Sequence, residues 1–425
     1  MACWMMACGM MVMPVALPVV LTVAGKTPGR AAGSLPARIV FRVFLLVTVA
    51  LAPTRATACP FCGTVGQSLS QQRDAAAAVA VGEAVGTAGA DAQGLPSQRF
   101  RIDQWLRTSS GPATAAVSTV AARVAGPVAG TAMLFATAQP ESPDQAVPRL
   151  VWAAVAADES LLGHMSAAPA STVPAADRLR WFAARLEHPD PGIAADAFTE
   201  FGLANFADVR TAADALDARA VMTWVNEPGI DARRRGLYGL LAGVAAAAAT
   251  DPTVVRDCVA ALHRAVEAPA DDFRAGFDGI LAGVLVAEGE QGLEFLTLRG
   301  LFGPGARPMD QRHLLAALRF AWESLADTIP QRRVSAATAS LLSSPAVAAL
   351  ATIDLARYQA WDEVAPVARL WDTIGADDPL VRRAVAGYLA ACPLPAARSE
   401  LDRIRTQNPD LLQRALDAAA LPVAR

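Results

Sequence analysis

Gly236-Leu-Tyr-Gly-Leu-Leu-Ala-Gly-Val244 decides the fold, because it recurs 40 residues later as Gly276-Phe-Asp-Gly-Ile-Leu-Ala-Gly-Val284. Six of the nine positions are identical. Aspartate suits a helix start, since its carboxylate accepts hydrogen bonds from the unpaired N–H groups of the first turn. Aspartates expected to open helices recur at intervals of 41, 40 and 39 residues, at Asp190, Asp231, Asp271 and Asp310. The interval predicts a repeated helical unit.

The helical pattern is expected to extend over residues 175–425, which would hold about six helix pairs. Two segments share an Asp-Pro opening followed by valine and arginine: Asp251-Pro-Thr-Val-Val-Arg256 and Asp378-Pro-Leu-Val-Arg-Arg383. This opening, together with the interval near 40 residues, resembles HEAT repeats. The resemblance implies an α-solenoid, in which each helix pair buries its apolar face on its neighbours and the surface binds other proteins.

Glycines fall on one helical stripe in each copy of the repeat. The first copy has Gly236, Gly239 and Gly243, and the second has glycine at the three matching positions. No reactive side chain accompanies them. The stripe therefore predicts close packing between helices rather than a binding site.

Residues 59–165 have a different pattern, in which short apolar stretches are divided by Gly, Pro and Ser. Five short strands within about 80 residues predict a small barrel or sandwich. The uncharged, proline-containing segment 166–174 is interpreted as a linker. The expected fold class is thus multi-domain α+β, a small N-terminal β-barrel or sandwich followed by an all-α HEAT-like solenoid. The strands are predicted at Ala77–Val85, Gln98–Leu106, Ala116–Val124, Ala132–Ala136 and Leu150–Val155.

Residues 1–58 are interpreted as a leader. No Asp or Glu precedes Asp74, and four basic residues precede the apolar run Val43–Ala52, which is followed by Ala56-Thr57-Ala58. This order is typical of a secretory signal and predicts cleavage between Ala58 and Cys59. The protein is then expected in the periplasm or outside the cell, with no integral membrane domain after removal of the leader. A lipid anchor on Cys59 is an alternative, although the leucine usual three residues earlier is absent.

Cys59 and Cys62 form the only close cysteine pair, Cys59-Pro-Phe-Cys62. Export favours their oxidation to a local disulfide. A thiol-disulfide redox function is the alternative, because a helix start beside such a pair lowers a thiol pKa. A zinc site would need two further ligands, and none is nearby. Cys258 and Cys392 lie in apolar helical patterns and are expected to be buried.

The β region resembles netrin-like and OB-type barrels. The resemblance rests on a cysteine at the mature N-terminus, a following helix, the strand segment Val81-Gly82-Glu83 and Gly130-Thr-Ala-Met-Leu-Phe135. In the metalloprotease inhibitors of that family, the amine and carbonyl of the first cysteine bind the zinc of the target, which implies that role for Cys59. The chain departs from the family in having Cys-x-x-Cys rather than Cys-x-Cys, and in having no cysteine between residues 63 and 257.

Composition restricts the chemistry of the mature chain. Lys26 is the only lysine among 37 basic residues and lies in the leader, so the mature chain would lack an amine for a Schiff base or a P-loop. Removing the leader's five cations would leave 32 against 40 acids, a net charge of −8, which argues against nucleic-acid binding. His188, His263 and His313 have no metal-ligand spacing. No catalytic residue, cofactor or metal is predicted.

The function expected from these features is an exported, non-enzymatic scaffold that binds an as yet unidentified protein partner. Solenoids suit this role because stacked repeats expose a long surface. The redox and metalloprotease-inhibitor functions are the alternatives. The predicted interaction surface consists of Arg233, Arg234, Arg235, Trp361 and Trp371.

Overall fold

The computed structural model describes residues 66–108, 117–139, 149–269 and 273–420. The leader, the cleavage site at Ala58–Cys59 and the Cys59–Cys62 pair lie outside the described residues, and so does Asp271.

A short helix, α1 (Leu69–Ala75), precedes a closed five-stranded barrel. Its start is capped by Ser68, whose Oγ accepts a hydrogen bond from the N–H of Gln71. The strand order around the barrel is β1-β2-β3-β5-β4, with β1 pairing antiparallel to β4 and β3 parallel to β5. All five predicted strands are present. They are β1 (Ala78–Ala90), β2 (Pro96–Arg107), β3 (Thr119–Arg123), β4 (Thr131–Gln139) and β5 (Arg149–Ala156).

Side chains alternate between the inside and the outside of the barrel along each strand, and each set belongs to a separate hydrophobic core. Phe100, Leu134 and Trp152 face the barrel interior and are buried. Side chains at intervening positions, such as Met133 and Phe135, point outward and pack against the helices that follow. Because side chains alternate with a period of two residues, one set fills the barrel and the other packs the barrel against the helical region.

Sixteen further α-helices follow the barrel within the described residues. None of the described helices is long and apolar enough to cross a membrane. Short 3-10 turns occur at Ala213–Ala215, Leu341–Ser343, Trp361–Glu363 and Ile374–Ala376. The helices are α2 (Glu159–Ala167), α3 (Ala175–Ala183), α4 (Pro191–Leu203), α5 (Phe206–Thr211), α6 (Ala218–Asn226), α7 (Ala232–Ala248), α8 (Pro252–Glu267), α9 (Phe277–Glu288), α10 (Glu290–Leu298), α11 (Pro308–Ser324), α12 (Gln331–Ser340), α13 (Ala348–Arg357), α14 (Val364–Asp372), α15 (Pro379–Ala391), α16 (Pro395–Gln407) and α17 (Pro409–Ala420).

Aspartate caps begin several of these helices. Asp190 and Asp231 cap α4 and α7, and Asp251 and Asp378 cap α8 and α15, each by accepting a hydrogen bond from a first-turn N–H. Asp310 differs from the prediction, because it lies in the first turn of α11 and Arg307 occupies the cap position.

The helices form two layers. Odd-numbered helices contact one another in succession from α3 to α17, and even-numbered helices from α4 onward pack on them. Even-numbered helices contact one another at α2 with α4, α6 with α8 and α14 with α16. One contiguous core joins the two layers. The expected fold class is confirmed: a closed β-barrel is followed by a long, solenoid-like helical region.

The glycine stripe lies where α7 crosses α9, and the prediction of close packing is confirmed. A Cβ added to Gly239 would lie 2.6 Å from the Cα of Ile280, and one added to Gly243 would lie 2.7 Å from the Cα of Gly283. Both distances are shorter than carbon atoms can approach without displacement. The two helices can therefore pack this closely only because these positions lack side chains.

Candidate functional site

Three adjoining clefts form a groove along α6, α7, α8, α9 and the start of α11. The central cleft has a volume of about 370 Å³. It shares Asn226 and Glu227 with the second cleft, and Ala268 and Arg274 with the third. Residues 270–272, which follow this wall in the chain, lie outside the described residues. We call the surface the arginine groove and define it by its arginines, Arg219, Arg235, Arg264, Arg274, Arg299 and Arg307.

Three of these cations enter the groove from helix ends. Arg219 lies in the first turn of α6, Arg235 near the start of α7 and Arg264 in the last turn of α8. Asn226 ends α6 and donates from Nδ2 to the carbonyl oxygen of Ala261 at 3.2 Å, which holds α6 against α8. The helix ends are thus fixed relative to each other, and their arginines are brought to one surface.

The floor of the central cleft is apolar. Val225 and Ile280 are each 3% exposed, Phe277 is 1% exposed, and Ala265 lies beside them. Cations at the edges and apolar side chains below make the cleft suitable for a ligand that carries both negative charge and apolar groups.

Arg274 forms one wall and is held in an uncommon backbone conformation, with φ of 51°. Its guanidinium lies 3.5 Å from the ring centre of Phe277 and donates to the carbonyl oxygens of Ala265 and Val266 at 3.1 and 2.9 Å. A further hydrogen bond, 3.3 Å long, reaches Oδ2 of Asp310. The bonds to carbonyls satisfy acceptors in the last turn of α8 and hold the strained turn in place.

His313, on α11, packs against the cleft wall that Arg274 forms. Its Nε2 lies 3.1 Å from the carbonyl oxygen of Phe273, and its Nδ1 lies 3.7 Å from Oδ1 of Asp278. Burial lowers the pKa of His313, but the carboxylate of Asp278, the bond to Phe273 and the charge of Asp310 outweigh it, so the pKa is raised. The imidazolium can donate from both nitrogens, whereas the neutral ring can donate from only one. Protonation therefore strengthens the contact between α11 and the cleft wall.

The groove has more cations than its acids neutralise. Glu267 pairs with Arg299, and Asp310 pairs with Arg274. Asp257 pairs with an arginine outside the groove, and Glu227 is the fourth lining acid. Within the described residues, three groove arginines have no ion pair: Arg219, Arg235 and Arg264.

Comparisons with protein-family models, curated proteins and solved structures find no match to this chain. The groove's chemistry must therefore be inferred from its own side chains. In the part of the chain that the structure describes, no group of three or more His, Cys, Asp or Glu residues is placed to hold a metal ion.

The predicted interaction residues are separated by the structure. Arg233 is exposed, Arg234 pairs with Glu187 at 2.7 Å, and only Arg235 enters the groove. Successive helical residues point about 100° apart, which explains why the three arginines diverge.

The two predicted tryptophans lie elsewhere, at the C-terminal part of the array. Trp371 is 3% exposed and belongs to the core. Trp361 is half-buried, and its ring lies edge-on to Tyr388 with centres 5.3 Å apart. Trp371 therefore has no exposed ring to present to a partner.

A second polar site, buried where α1 meets α2 and α4, was not predicted. Ser70 donates from Oγ to Oδ2 of Asp196 at 2.7 Å, and Nε2 of His164 lies 2.9 Å from the same oxygen. Nearby, Ser68 donates to Glu200, and Arg178 donates to the other Glu200 oxygen at 2.9 Å. We call this site the junction cluster and define it by Ser68, Ser70, His164, Arg178, Asp196 and Glu200.

The junction cluster contains Ser, His and Asp but lacks the geometry of a catalytic triad. Ser70 and His164 both bond to Asp196, whereas a triad needs the serine hydroxyl to contact the histidine. All three side chains are buried, which denies a substrate access. The arrangement instead fixes α1 to the helical region.

The two free cysteines of the described region are buried, as predicted. Cys258 is fully buried and Cys392 is 5% exposed. Burial, with a smaller effect of Asp257, raises the pKa of the Cys258 thiol. A protonated, inaccessible thiol is unreactive, so these residues act as small apolar side chains.

Proposed function

We propose that the protein is an exported, non-enzymatic scaffold that binds a protein partner through its helical region. The observation that carries the proposal is the arginine groove, because it spans three adjoining clefts and five helices. A surface of this extent suits a macromolecular segment better than a small substrate. The redox function and the inhibitor function remain proposals that depend on Cys59 and Cys62.

The assignment to HEAT-like repeats has two further supports. Aspartates cap α8 and α15 at the two Asp-Pro openings, and the helices alternate between two layers. In such arrays each unit contacts mainly its neighbours, so a binding surface can extend along the stack.

The barrel's strand order supports the OB-type resemblance. A closed five-stranded barrel in the order β1-β2-β3-β5-β4 is a Greek-key arrangement of that kind. If the netrin-like inhibitor function is correct, adding one residue before Cys59 should abolish inhibition of a metalloprotease by the processed protein. A processed protein that inhibits no metalloprotease would exclude this alternative.

Site-specific photo-crosslinking tests the scaffold proposal. A photoreactive residue replaces Thr223, which lines the groove on α6, and in a matched control it replaces Thr406 on α16. Both threonines are exposed and donate from Oγ1 to the carbonyl oxygen four residues earlier. We expect a protein adduct at Thr223 and none at Thr406 in cells that export the protein. Equal adducts at both sites, or none at either, would contradict the proposal.

The redox alternative has a separate test. Cys62→Ser should abolish the reduction of insulin disulfides by the processed protein if the pair is catalytic. A parent protein with no such activity would exclude the redox function.

A further inference from the structure

We infer that the arginine groove binds an extended, acidic segment of a protein partner. This inference rests on the proposed scaffold function and adds the chemistry of the segment. It depends on three features of the groove, namely its uncompensated charge, its continuity and its apolar floor.

The uncompensated charge selects for carboxylates. Arg219, Arg235 and Arg264 have no ion pair within the described residues, while three of the four lining acids are already paired. A guanidinium presents a planar fork of donors that matches a carboxylate. Within the described residues, the groove therefore has three guanidinium groups without an ion pair against one lining acid without an ion pair, Glu227. A segment bearing Asp or Glu side chains supplies the missing acceptors.

The continuity of the groove selects for an extended segment. Arg219 and Arg264 line the second cleft, Arg235 lines the central cleft, and Asn226 and Glu227 border both. One small anion can occupy only one of these clefts. A chain that crosses the border between them can contact all three unpaired arginines.

The apolar floor selects for a peptide rather than a bare polyanion. Phe277, Ile280 and Val225 line the central cleft, and the small exposed parts of these otherwise buried side chains can contact apolar side chains that lie between the carboxylates. The chain as a whole is acidic, with 40 Asp and Glu against 37 Lys and Arg, which disfavours a long nucleic acid. The groove is a local positive surface on a chain of net negative charge, so a short acidic segment can bind there without facing the acidic residues elsewhere on the protein.

The test measures binding of a fluorescent peptide of alternating glutamate and leucine by anisotropy. We expect the parent protein to bind it, more weakly as salt is raised, and not to bind the same peptide with glutamine in place of glutamate. The triple variant Arg219→Gln, Arg235→Gln, Arg264→Gln should bind roughly tenfold more weakly. The matched control, Arg332→Gln, Arg398→Gln, Arg414→Gln, removes the same charge from exposed helical positions outside the groove and should bind like the parent.

Several outcomes would overturn the inference. They are a parent protein that does not bind the glutamate peptide, an equal loss in both triple variants, and tighter binding of a single-stranded oligonucleotide than of the peptide. Inorganic phosphate that displaces the peptide at low concentration would mark a small-anion site instead. Thermal unfolding of both triple variants verifies that they fold.

The failure of this inference is distinguishable from the failure of the scaffold function. If Thr223 crosslinks a protein but the groove triple variant still forms the adduct, the scaffold function stands and the acidic-segment inference falls. If the peptide binds as expected but no adduct forms at Thr223 in cells, the scaffold function falls and the groove is an acidic-peptide site without that role.

Discussion

Gly239 and Gly283 illustrate how single residues determine the spacing of helices. A Cβ on Gly239 would lie 2.6 Å from a backbone atom of α9, and one on Gly283 would meet the carbonyl oxygen of Gly239. Backbone atoms cannot swing away as a flexible side chain can. Any side chain at these positions must therefore force α7 and α9 apart.

Gly239→Ala should lower the thermal unfolding midpoint markedly, with a loss of about 3 kcal/mol in unfolding free energy. Gly163→Ala is the control, because Gly163 lies within α2 and an added Cβ there meets no atom within 4 Å. It should be neutral or stabilise by about 0.5 kcal/mol, since alanine favours helix more than glycine does. Calorimetry of the two variants checks both values, and equal midpoints would refute the packing argument.

His313 links protonation to the wall of the arginine groove. Asp278 and Asp310 are the acids that face its ring, Arg274 lies beside Asp310, and the ring also bonds to the carbonyl of Phe273. Because the folded-state pKa is raised, the stabilisation is fully present below the unfolded value of about 6.5 and is lost as pH rises through the folded value.

His313→Gln should therefore lose about 2 kcal/mol of unfolding free energy at pH 6, and the gap to the parent should narrow by pH 8.5. Thermal unfolding at both pH values measures the gap. NMR titration supplies a second readout, since Asp278→Asn should lower the His313 midpoint. The exposed acid Asp327, which pairs with Arg210, is the control, and Asp327→Asn should leave that midpoint unchanged. A gap that widens with pH would contradict the assignment.

At the scale of elements, α4 holds the start of the described chain. Asp196 and Glu200 are four residues apart on one face of α4, and both are 2% exposed. Two carboxylates on a buried helix face are costly unless they are hydrogen-bonded. Ser68 and Ser70 supply those bonds, so α1 is attached to the helical region through side chains far apart in sequence.

Asp196→Ala should leave the Ser70 hydroxyl, the Ser70 N–H and Nε2 of His164 without their acceptor, at a cost of about 3 kcal/mol. Hydrogen exchange of the amides in Leu69–Ala75 should become faster. The control is Asp177→Ala, which removes an acid that is 58% exposed and pairs with Arg180 at the surface. Its effect should be within about 0.5 kcal/mol, and unchanged exchange of α1 in Asp196→Ala would show that the cluster does not anchor it.

At the scale of the whole molecule, the distribution of lysine predicts which amines remain if the chain is cleaved before Cys59 as proposed. Lys26 is the only lysine and lies in the predicted leader. A chain cleaved before Cys59 contains no ε-amine, so its α-amino group is the only amine. Acylation of Cys59 would remove that amine as well.

If the protein is exported and cleaved as proposed, it should accept one equivalent of an amine-reactive label, located at Cys59, or none if Cys59 is lipidated. Intact mass and N-terminal sequencing measure the cleavage point and the oxidation state of Cys59 and Cys62 together. Labelling at Lys26 in protein recovered from outside the cytoplasm would refute cleavage at Ala58–Cys59.

Strand and helix positions were predictable where the local pattern was strong. The fourth strand was expected at Ala132–Ala136 and extends over Thr131–Gln139. The first was expected to end at Val85 but continues to Ala90, where Gly89 and Ala90 pair with β2. Small residues without alternating polarity carry no strand signal, and only the partner strand determines their conformation.

The candidate sites were harder to predict than the elements. Asp196 and Glu200 left a visible signal, because two acids spaced four apart interrupt an otherwise apolar helix face. Among the three groove arginines without an ion pair, Arg235 was predicted as part of the Arg233–Arg235 run, whereas Arg219 and Arg264 resemble any surface arginine in sequence. Trp371 shows the opposite case, in which a residue that looked suited to binding is buried in the core.

The sequence by itself determined the five strands, the long helical region that follows them and close helix packing at the glycine stripe. The alternation of apolar and polar residues in strands, the period of apolar residues in helices and the glycines are patterns within short stretches of sequence, so they can be recognised locally. Closure of the strands into a barrel rather than a sandwich was decided by the tertiary structure. Only the tertiary structure decided that Arg219, Arg235 and Arg264 share one groove without forming ion pairs within the described residues. Their juxtaposition results from how α6, α7 and α8 stack, and stacking depends on contacts between residues that are distant in the chain.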